Sequence, residues 1–199
     1  GRGGSGHVFL AEQTEPVRRR VAIKVVPEAA VDADLAARFQ VERRALERTV
    51  HPNVVRLIDA GSTQDGLPYL VMDFVAGEPI TRHCQRAALP LDACVRLLMA
   101  VADGVLHAHQ RGVIHRDLKP ANVVVTEVGG RATPIVLDFG IARRIGKVGE
   151  PLAGGHDAVA TSGWPVGTPA YMAPEQAGFG EIDTRVDVYA LGALLYELI

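Results

Sequence analysis

The sequence predicts an α+β fold in which a small, β-rich lobe precedes a mostly helical lobe. Two observations lead to this prediction. Short apolar, β-branched runs bounded by turn residues dominate the chain before Asp73. After that residue, apolar side chains recur at helical spacing in two long stretches. We therefore expect residues 1–73 to form the first lobe and residues 74–199 to form a second, incomplete lobe.

The first lobe is predicted to contain four strands and one helix. The strands cover residues 7–10, 21–26, 54–58 and 67–75. A helix is predicted between the second and third strands, because three apolar residues and one glutamate recur there at spacings of four, three and four residues, which is one face of a helix. Its predicted inner face consists of Leu35, Phe39, Glu42 and Leu46. Asp32 or Asp34 can cap its start.

The second lobe is predicted to be built around two helices. The first spans residues 91–110, ends at Gly112 and presents Val95, Leu98, Ala102 and Val105 on one face. Short strands at 122–126 and 135–137 follow, and residues 141–170 form a long loop rich in Gly, Pro, Ser and Thr. The last helix begins at Thr184, with Asp187, Leu191, Leu194, Leu195 and Leu198 along one side.

Composition and charge exclude several classes of protein. The net charge of −2 and the pI near 6.4 leave no strongly basic surface for nucleic acid. No apolar stretch approaches the ~20 residues of a membrane-spanning helix. Cys84 and Cys94 are expected to be reduced thiols of a cytosolic protein rather than a disulfide. The chain opens without Met and stops inside an apolar helical pattern, so we expect that both ends have been cut.

The first residues contain a glycine pattern that is suited to phosphate binding. Residues 1–8 fit G-x-G-x-x-G-x-V, and glycine lets backbone N–H groups approach phosphate oxygens closely. A flexible loop or a dinucleotide-binding turn can have the same sequence pattern. The dinucleotide-binding turn requires a helix directly after the glycines, and the β-type run at 7–10 argues against it.

Lys24 ends a strand of buried character, V-A-I-K at 21–24. A lone lysine at this position would extend its amine to water. Glu42, however, lies on the apolar face of the predicted helix, where a carboxylate is costly unless it is paired. We predict that Lys24 is the partner of Glu42 and that the two residues together hold a polyphosphate.

A tight polar loop at residues 115–122, His-Arg-Asp-Leu-Lys-Pro-Ala-Asn, is the most informative stretch. Asp117 can accept a proton from an attacking hydroxyl, Lys119 can neutralise charge on a phosphoryl group, and Asn122 can offer an amide oxygen to a hard cation. An ordinary polar turn is the alternative. Asp138, in Asp-Phe-Gly after an apolar strand, adds a carboxylate suited to Mg²⁺, although this triplet alone is common at strand ends.

Taken in order, these motifs resemble those of the protein kinase family, of the Ser/Thr type. The matching stretches are the glycine loop, V-A-I-K at 21–24, H-R-D-L-x-x-x-N at 115–122, D-F-G at 138–140 and A-P-E at 173–175. The form A-P-E-Q at 173–176 resembles bacterial, eukaryotic-like members. The resemblance spans the chain and implies the two-lobe kinase fold, with an antiparallel sheet and one helix in the N-terminal lobe. It also implies phosphoryl transfer from ATP, with Mg²⁺, to Ser or Thr of protein substrates.

The resemblance implies a role for each matching residue. Asp117 would be the catalytic base, with Lys119, Lys24, Glu42 and Thr168 as the other catalytic residues. Asn122 and Asp138 would hold Mg²⁺. ATP would contact Gly1, Gly3, Gly4, Ser5, Gly6, Val8, Ala22, Lys24, Met72, Asp73, Val75 and Val124. Ser5 departs from the family, which often has an aromatic residue there, and this suggests a weaker lid over the phosphates.

Packing and regulatory roles carry over in the same way. Leu46, Leu57, His115 and Phe139 match an apolar column that links the two lobes. His115 is therefore expected to pack rather than to bind a metal ion. Asp187 matches an aspartate that holds the catalytic loop from the last helix, as a buried and hydrogen-bonded carboxylate. Arg116 matches an arginine that often binds a phosphorylated activation loop, for which Thr161 and Ser162 are the candidate phosphosites.

A pseudokinase and a small-molecule phosphotransferase of similar fold are the alternatives. A pseudokinase usually lacks a catalytic residue, whereas Lys24, Glu42, Asp117, Asn122 and Asp138 are all present. Small-molecule phosphotransferases generally lack A-P-E and the stretch at Gly167-Thr168, and both occur here. The expected partners are protein substrates and a homodimer for trans-autophosphorylation, with no nucleic acid and no membrane contact in this segment. The segment is expected in the cytoplasm, with any membrane anchor outside it.

Overall fold

The structure is a computed structural model that describes residues 2–3, 6–26, 49–139, 169–177 and 181–199. The predicted helix at residues 35–46 and nearly all of the predicted long loop lie outside this set. Several residues singled out by the sequence also lie outside it: Gly1, Gly4, Ser5, Glu42, Leu46, Gly140, Thr161, Ser162, Gly167 and Thr168.

An antiparallel sheet of five strands forms the first part of the described fold. Its strands are β1 (Arg2–Gly3), β2 (Gly6–Gln13), β3 (Arg19–Val25), β4 (Leu57–Ser62) and β5 (Pro68–Asp73), in the order β1-β2-β3-β5-β4. β-Branched residues such as Val21 and Ile23 favour the extended chain of β3, and Val21 is buried. The strands predicted at 7–10, 21–26 and 67–75 are confirmed.

The strand predicted at 54–58 is wrong in position, because β4 begins only at Leu57. Residues 53–55 instead contact β8 (Arg131–Val136). The N–H of Val136 donates to the carbonyl oxygen of Asn53 at 2.8 Å, and the N–H of Val55 donates to that of Val136 at 2.9 Å. The apolar character of this run therefore reflects its contact with a second sheet rather than membership of the first.

The second sheet is antiparallel and has three strands. Its order is β6 (Glu78–Pro79), β7 (Val123–Val128) and β8. Gly129 and Gly130 connect β7 to β8, and their φ angles of 57° and 76° suit a two-residue hairpin turn. The strands predicted at 122–126 and 135–137 are confirmed with shifted bounds. β6 was not predicted, because a strand of two residues is too short to show an alternation of apolar and polar residues.

The described part of the chain contains three α-helices, α1 (Ile80–Arg86), α2 (Leu91–His109) and α3 (Arg185–Leu198). The helix predicted at 91–110 and the helix start predicted at Thr184 are confirmed. After α2 the chain reverses at Gly112, whose φ of 76° is unfavourable for other residues. The short helix α1 was not predicted, because most of its residues are polar. None of the described helices has the length and apolar character needed to cross a membrane.

The buried faces of α2 and α3 differ in part from the predicted ones. On α2 the buried residues are Cys94, Leu97, Leu98, Val101, Gly104, Val105 and Ala108. Val95 and Ala102, which were predicted to be on the inner face, are only partly buried. The observed stripe is wider than the predicted one, as is usual for a helix that packs on a globular core. On α3, Leu194 is fully buried, but Leu195 is 37% exposed.

One hydrophobic core joins the helices to the second sheet. Its most deeply buried members come from α1, α2, β7, β8 and α3, and include Ile80, Val101, Val105, Val123, Val136 and Leu194. Burying such a side chain stabilises a fold by about 1.5–3 kcal/mol. Leu118 and Phe139 also belong to this core. The polar stretches on either side of β7 and β8 therefore lie next to the hydrophobic core.

Cys84 on α1 and Cys94 on α2 are buried within this core as free thiols, as expected. Burial, together with the neighbouring Cys94 thiol, raises the pKa of Cys84 to about 12. Near neutral pH the reactive thiolate form of Cys84 is therefore almost unpopulated.

Candidate active site

The backbone of the polar loop is held in place by a buried carboxylate on α3. Asp187 is fully buried, and its Oδ2 accepts the N–H of His115 while its Oδ1 accepts the N–H of Arg116, each at 2.8 Å. The Nε2 of His109, at the end of α2, lies 2.7 Å from the same Oδ2. These contacts are the ones predicted for Asp187, with His109 as an additional partner.

The surroundings of Asp187 favour its ionised form. Burial by itself raises the pKa of this carboxyl group. The hydrogen bond with His109, the electrostatic interaction with the His115 ring and the N–H groups of His115 and Arg116 together lower it by more, so the net pKa lies below the ordinary value of an aspartate. Asp187 is thus a charged group whose stabilising contacts depend on its ionisation.

Asp117 lies among donors from its own loop. The Nζ of Lys119 is 2.9 Å from Oδ2 of Asp117. The Nδ2 of Asn122 donates to the carbonyl oxygen of Asp117 at 2.7 Å and lies 3.3 Å from the same Oδ2. The side chain of Asp117 retains only 11% exposure. The structure therefore brings together the predicted base, the predicted cation and the predicted metal-binding amide.

His115 connects the polar loop to the segment after β8. Its Nδ1 accepts the N–H of Asp117 at 3.2 Å, and its Nε2 donates to the carbonyl oxygen of Leu137 at 2.8 Å. The ring packs against Phe139 with the centroids 4.8 Å apart. Both ring nitrogens are engaged and the residue is fully buried, so the packing role predicted for His115 agrees with the contacts.

Lys24 on β3 forms an ion pair with Asp138, through Nζ and Oδ1. The lysine is 2% exposed, so its charge requires a partner. The sequence predicted Glu42 for that partner, and Glu42 lies outside the described residues. Asp138 has a φ of 58°, a conformation that is uncommon for a residue with a side chain and that is often found at functional sites.

Asn122 and Asp138 are connected through the backbone. The N–H of Leu137, which precedes Asp138, donates to the carbonyl oxygen of Asn122 at 2.8 Å. The pair formed by Lys24 and Asp138 is therefore next to the cluster formed by Asp117, Lys119 and Asn122.

Three of the apolar residues predicted to contact ATP lie on adjacent strands of the first sheet. Ala22 of β3 is directly opposite Met72 of β5, and Val8 of β2 is directly opposite Lys24. Val124 belongs to β7 of the other sheet and is buried. Val8, Ala22 and Met72 are thus grouped by strand register around Lys24.

The other described residues predicted to contact ATP flank these strands. Gly3 and Gly6 are register partners in β1 and β2. Asp73 ends β5, and its Oδ1 lies 3.6 Å from the guanidinium group of Arg19. Val75 is partly buried in the segment that follows.

Comparison with known proteins identifies the family. The chain matches the protein kinase domain over residues 1–199. The chain belongs to the protein kinase family. It is 40% identical over 200 residues to the serine/threonine-protein kinase pkn2 of Myxococcus xanthus and 41% identical over 211 residues to PkaA of Streptomyces coelicolor. Both alignments cover 100% of this chain, but only 23% and 37% of the two relatives, so the kinase segment spans a minor part of their length.

Solved structures agree with this assignment. The kinase domain of PknI from Mycobacterium tuberculosis superposes on this chain with a TM-score of 0.72 and 31% sequence identity. The match covers 100% of this chain and 70% of that domain. The chain therefore has the protein kinase fold, and the α+β class predicted from its sequence is confirmed.

The side-chain oxygens of Asn122 and Asp138 suit a magnesium ion that is bound together with a nucleotide. Nδ2 of Asn122 contacts Asp117, which leaves Oδ1 for a cation, and no hydrogen bond among the described residues uses that oxygen. Asp138 supplies a carboxylate. In the described part of the chain, no group of three or more His, Cys, Asp or Glu residues could hold a metal ion. Mg²⁺ commonly takes one or two protein ligands and completes its shell with phosphate and water, which this set allows.

Two contacts of the kinase site were not found from the sequence. His109 contacts Asp187, and Gln176, directly after the A-P-E motif, contacts the backbone of Arg116. A signal for His109 existed, because a buried aspartate needs partners and a histidine ends the helix before the polar loop. For Gln176 the signal was only its place next to the motif.

Proposed function

We propose that this chain is the catalytic segment of a serine/threonine-protein kinase, which transfers the γ-phosphoryl group of ATP to a Ser or Thr hydroxyl of protein substrates. The observation that carries the proposal is the backbone hydrogen bond from Leu137 to Asn122, which brings two charged groups next to each other. One is the buried ion pair of Lys24 and Asp138, and the other is the Asp117–Lys119–Asn122 cluster. The names of the bacterial relatives, which are serine/threonine-protein kinases, support the choice of substrate.

The proposed reaction forms a bond between the substrate oxygen and the γ-phosphorus and breaks the bond from that phosphorus to the β–γ bridging oxygen. ADP leaves, and the hydroxyl proton goes to the carboxylate of Asp117. Such transfer depends mainly on positioning and on neutralising charge. Asp117 orients the hydroxyl, and the ammonium group of Lys119, 2.9 Å from Asp117, counters charge on the transferring group.

Lys24 is proposed to bind the α- and β-phosphates, and its pairing with Glu42 remains part of the proposal. Asn122 and Asp138 would hold Mg²⁺, which when bound neutralises phosphate charge. The nucleotide would further contact the glycines of residues 1–6, Ser5, the apolar residues Val8, Ala22, Met72 and Val124, and the segment Asp73–Val75. The division into lobes at residues 1–73 and 74–199 is part of the same proposal, with the nucleotide placed between the two sheets.

Regulation is proposed on the same basis. Thr168 would contact Asp117 and Lys119, and Thr161 and Ser162 would be phosphorylated within a homodimer, with Arg116 binding the new phosphate. A cytoplasmic location of this segment, where ATP is available, is part of the same proposal. Mass spectrometry of the active protein tests these phosphosites, because the absence of phosphate at both Thr161 and Ser162 would contradict their assignment.

The activity is tested by incubating the full-length protein with Mg²⁺, γ-labelled ATP and a general protein substrate, beside Asp117→Asn as the matched inactive form. We expect label on Ser and Thr with the original protein and almost none with the variant. No label with either form, while both bind ATP, would contradict the proposal and favour a pseudokinase. Label on a small molecule but on no protein would favour a small-molecule phosphotransferase of similar fold.

A further inference from the structure

Gln176 makes two hydrogen bonds that join separate parts of the chain. It lies in the 3₁₀ turn Pro174–Ala177 and is partly buried. Its Nε2 donates to the carbonyl oxygen of Arg116 at 2.8 Å. Its Oε1 accepts the N–H of Ala173, a fully buried residue, at 3.1 Å. One carboxamide therefore connects the A-P-E segment to the backbone next to Asp117.

The peptide unit between Arg116 and Asp117 is held at both of its polar ends. A peptide unit is planar, so its carbonyl and its N–H have a fixed relative direction. The carbonyl of Arg116 accepts from Gln176, and the N–H of Asp117 donates to Nδ1 of His115 at 3.2 Å. Two side chains from different segments thus set the orientation of the plane, and that plane determines how the side chain of Asp117 leaves the backbone.

The backbone at this point requires such support. Arg116 has a φ of 63°, in the left-handed region that is unfavourable for residues other than glycine. A conformation of this kind persists only when its surroundings hold it in place. Asp187 binds the N–H of Arg116 on one side, and Gln176 binds its carbonyl on the other. Without Gln176, the carbonyl of this peptide loses its donor, and the bond from the N–H of Asp117 to His115 opposes rotation towards a more favourable φ less strongly than the two bonds together.

We infer that Gln176 is a positioning residue, which couples the placement of segment 169–177 to the orientation of the catalytic carboxylate of Asp117. The inference rests on the proposed phosphoryl transfer. Glutamine suits this role because one side chain carries both a donor and an acceptor. Methionine has a similar length but cannot donate a hydrogen bond to the carbonyl of Arg116. Glutamate can accept the hydrogen bond from the N–H of Ala173, but its ionised form places a negatively charged oxygen next to the carbonyl oxygen of Arg116.

The kinetic test compares Gln176→Met with the original protein in two series, one with varied protein substrate at saturating ATP and one with varied ATP at saturating protein substrate. We expect kcat to fall by about tenfold or more, because the base is misoriented in the transition state. The KM for ATP should stay within about twofold, since Gln176 contacts neither Lys24 nor Asp138. Gln85→Met is the matched control, because Gln85 is exposed on α1 and should leave kcat unchanged. Equal kcat in Gln176→Met and the original protein would overturn the inference.

A pH profile of Gln176→Glu separates positioning from a merely structural role. A protonated glutamate can again donate to the carbonyl of Arg116, and that carbonyl together with partial burial favours the protonated form. The ratio of kcat for Gln176→Glu to kcat for Gln176→Met should therefore rise severalfold between pH 8 and pH 6. A constant ratio over this range would contradict a role for the donated hydrogen bond.

Hydrogen exchange gives a result that does not require activity. In the original protein we expect the peptides that contain residues 115–119 and 171–176 to be protected together. In Gln176→Met both should exchange at least about tenfold faster, whereas in Gln85→Met neither should change. Faster exchange in segment 171–176 alone would overturn the coupling, even if the original protein proved inactive. Inactivity of the original protein with coupled exchange would instead count against the proposed function.

Discussion

Replacing Asp187 with asparagine should lower the free energy of unfolding by about 3–5 kcal/mol. The carboxylate accepts two backbone N–H groups at 2.8 Å and contacts His109 at 2.7 Å. Hydrogen bonds to a charged group are worth about 1.5–3 kcal/mol each. Asparagine retains one oxygen, so one N–H loses its acceptor and faces an NH₂ group in a buried site. Removing one partner from a buried charged network typically costs about 3–5 kcal/mol.

The assay is urea unfolding of the full-length protein, followed by tryptophan fluorescence, at pH 7. Asp183→Asn is the matched control, because this exposed aspartate pairs with Arg185 at the surface just before α3. We expect little change in the midpoint for the control and a large fall for Asp187→Asn. A loss below about 1 kcal/mol for Asp187→Asn would refute the reasoning, since it would mean that the buried carboxylate does not hold the loop.

The loss of stability caused by Asp187→Asn should depend on pH. The pKa of Asp187 is lower in the folded protein than the ordinary aspartate value near 3.9. Its ionised form therefore contributes stability that is fully present above about pH 5 and is lost as the pH falls through the folded-state pKa. The stability difference between the original protein and Asp187→Asn should shrink below pH 4. A difference that grows as the pH falls would contradict the sign of the shift.

Two further predictions concern the core and the second sheet. Gly77→Ala should destabilise the protein by about 1–3 kcal/mol in urea unfolding, because the new Cβ would overlap the backbone oxygen of Val125. An unchanged midpoint would mean that β6 is not held against β7. Cys84 should react with iodoacetamide at pH 8 far more slowly in the folded protein than in urea, because burial and the raised pKa suppress its thiolate. Mass spectrometry measures the labelling rates, and equal rates in the folded protein and in urea would contradict the described burial.

Local patterns were enough to predict most of the fold. The strands around Val21 and Leu70 and the helix at 91–110 were predicted because their apolar residues follow the spacing of the buried face. The short elements β6 and α1 were missed, since Glu78–Arg86 is largely polar and is held in place by neighbours distant in sequence. The run at Val54 was placed in the wrong sheet, because an apolar sequence does not reveal its partner strand.

In the candidate site too, contacts within one short segment were easier to predict than contacts between distant segments. The motifs predicted which residues would meet, and Asp117, Lys119 and Asn122 do so within one short loop. Contacts between segments were harder to predict. Neither the contact of His109 with Asp187 nor that of Gln176 with Arg116 follows from spacing, because the partners are 78 and 60 residues apart. Such contacts depend on the tertiary fold, and only a demand for satisfied buried groups points to them.

The most direct test of the proposed function separates nucleotide binding from phosphoryl transfer in Asp117→Asn. The single-turnover transfer rate and the Kd for ATP with Mg²⁺ are measured for the full-length protein and for this variant. The assigned role predicts a transfer rate lower by about 10²–10⁴-fold, the usual contribution of a general base, with Kd changed by no more than about twofold. Parallel losses in rate and affinity would contradict it, because Asp117 would then act in binding ATP rather than in orienting the hydroxyl.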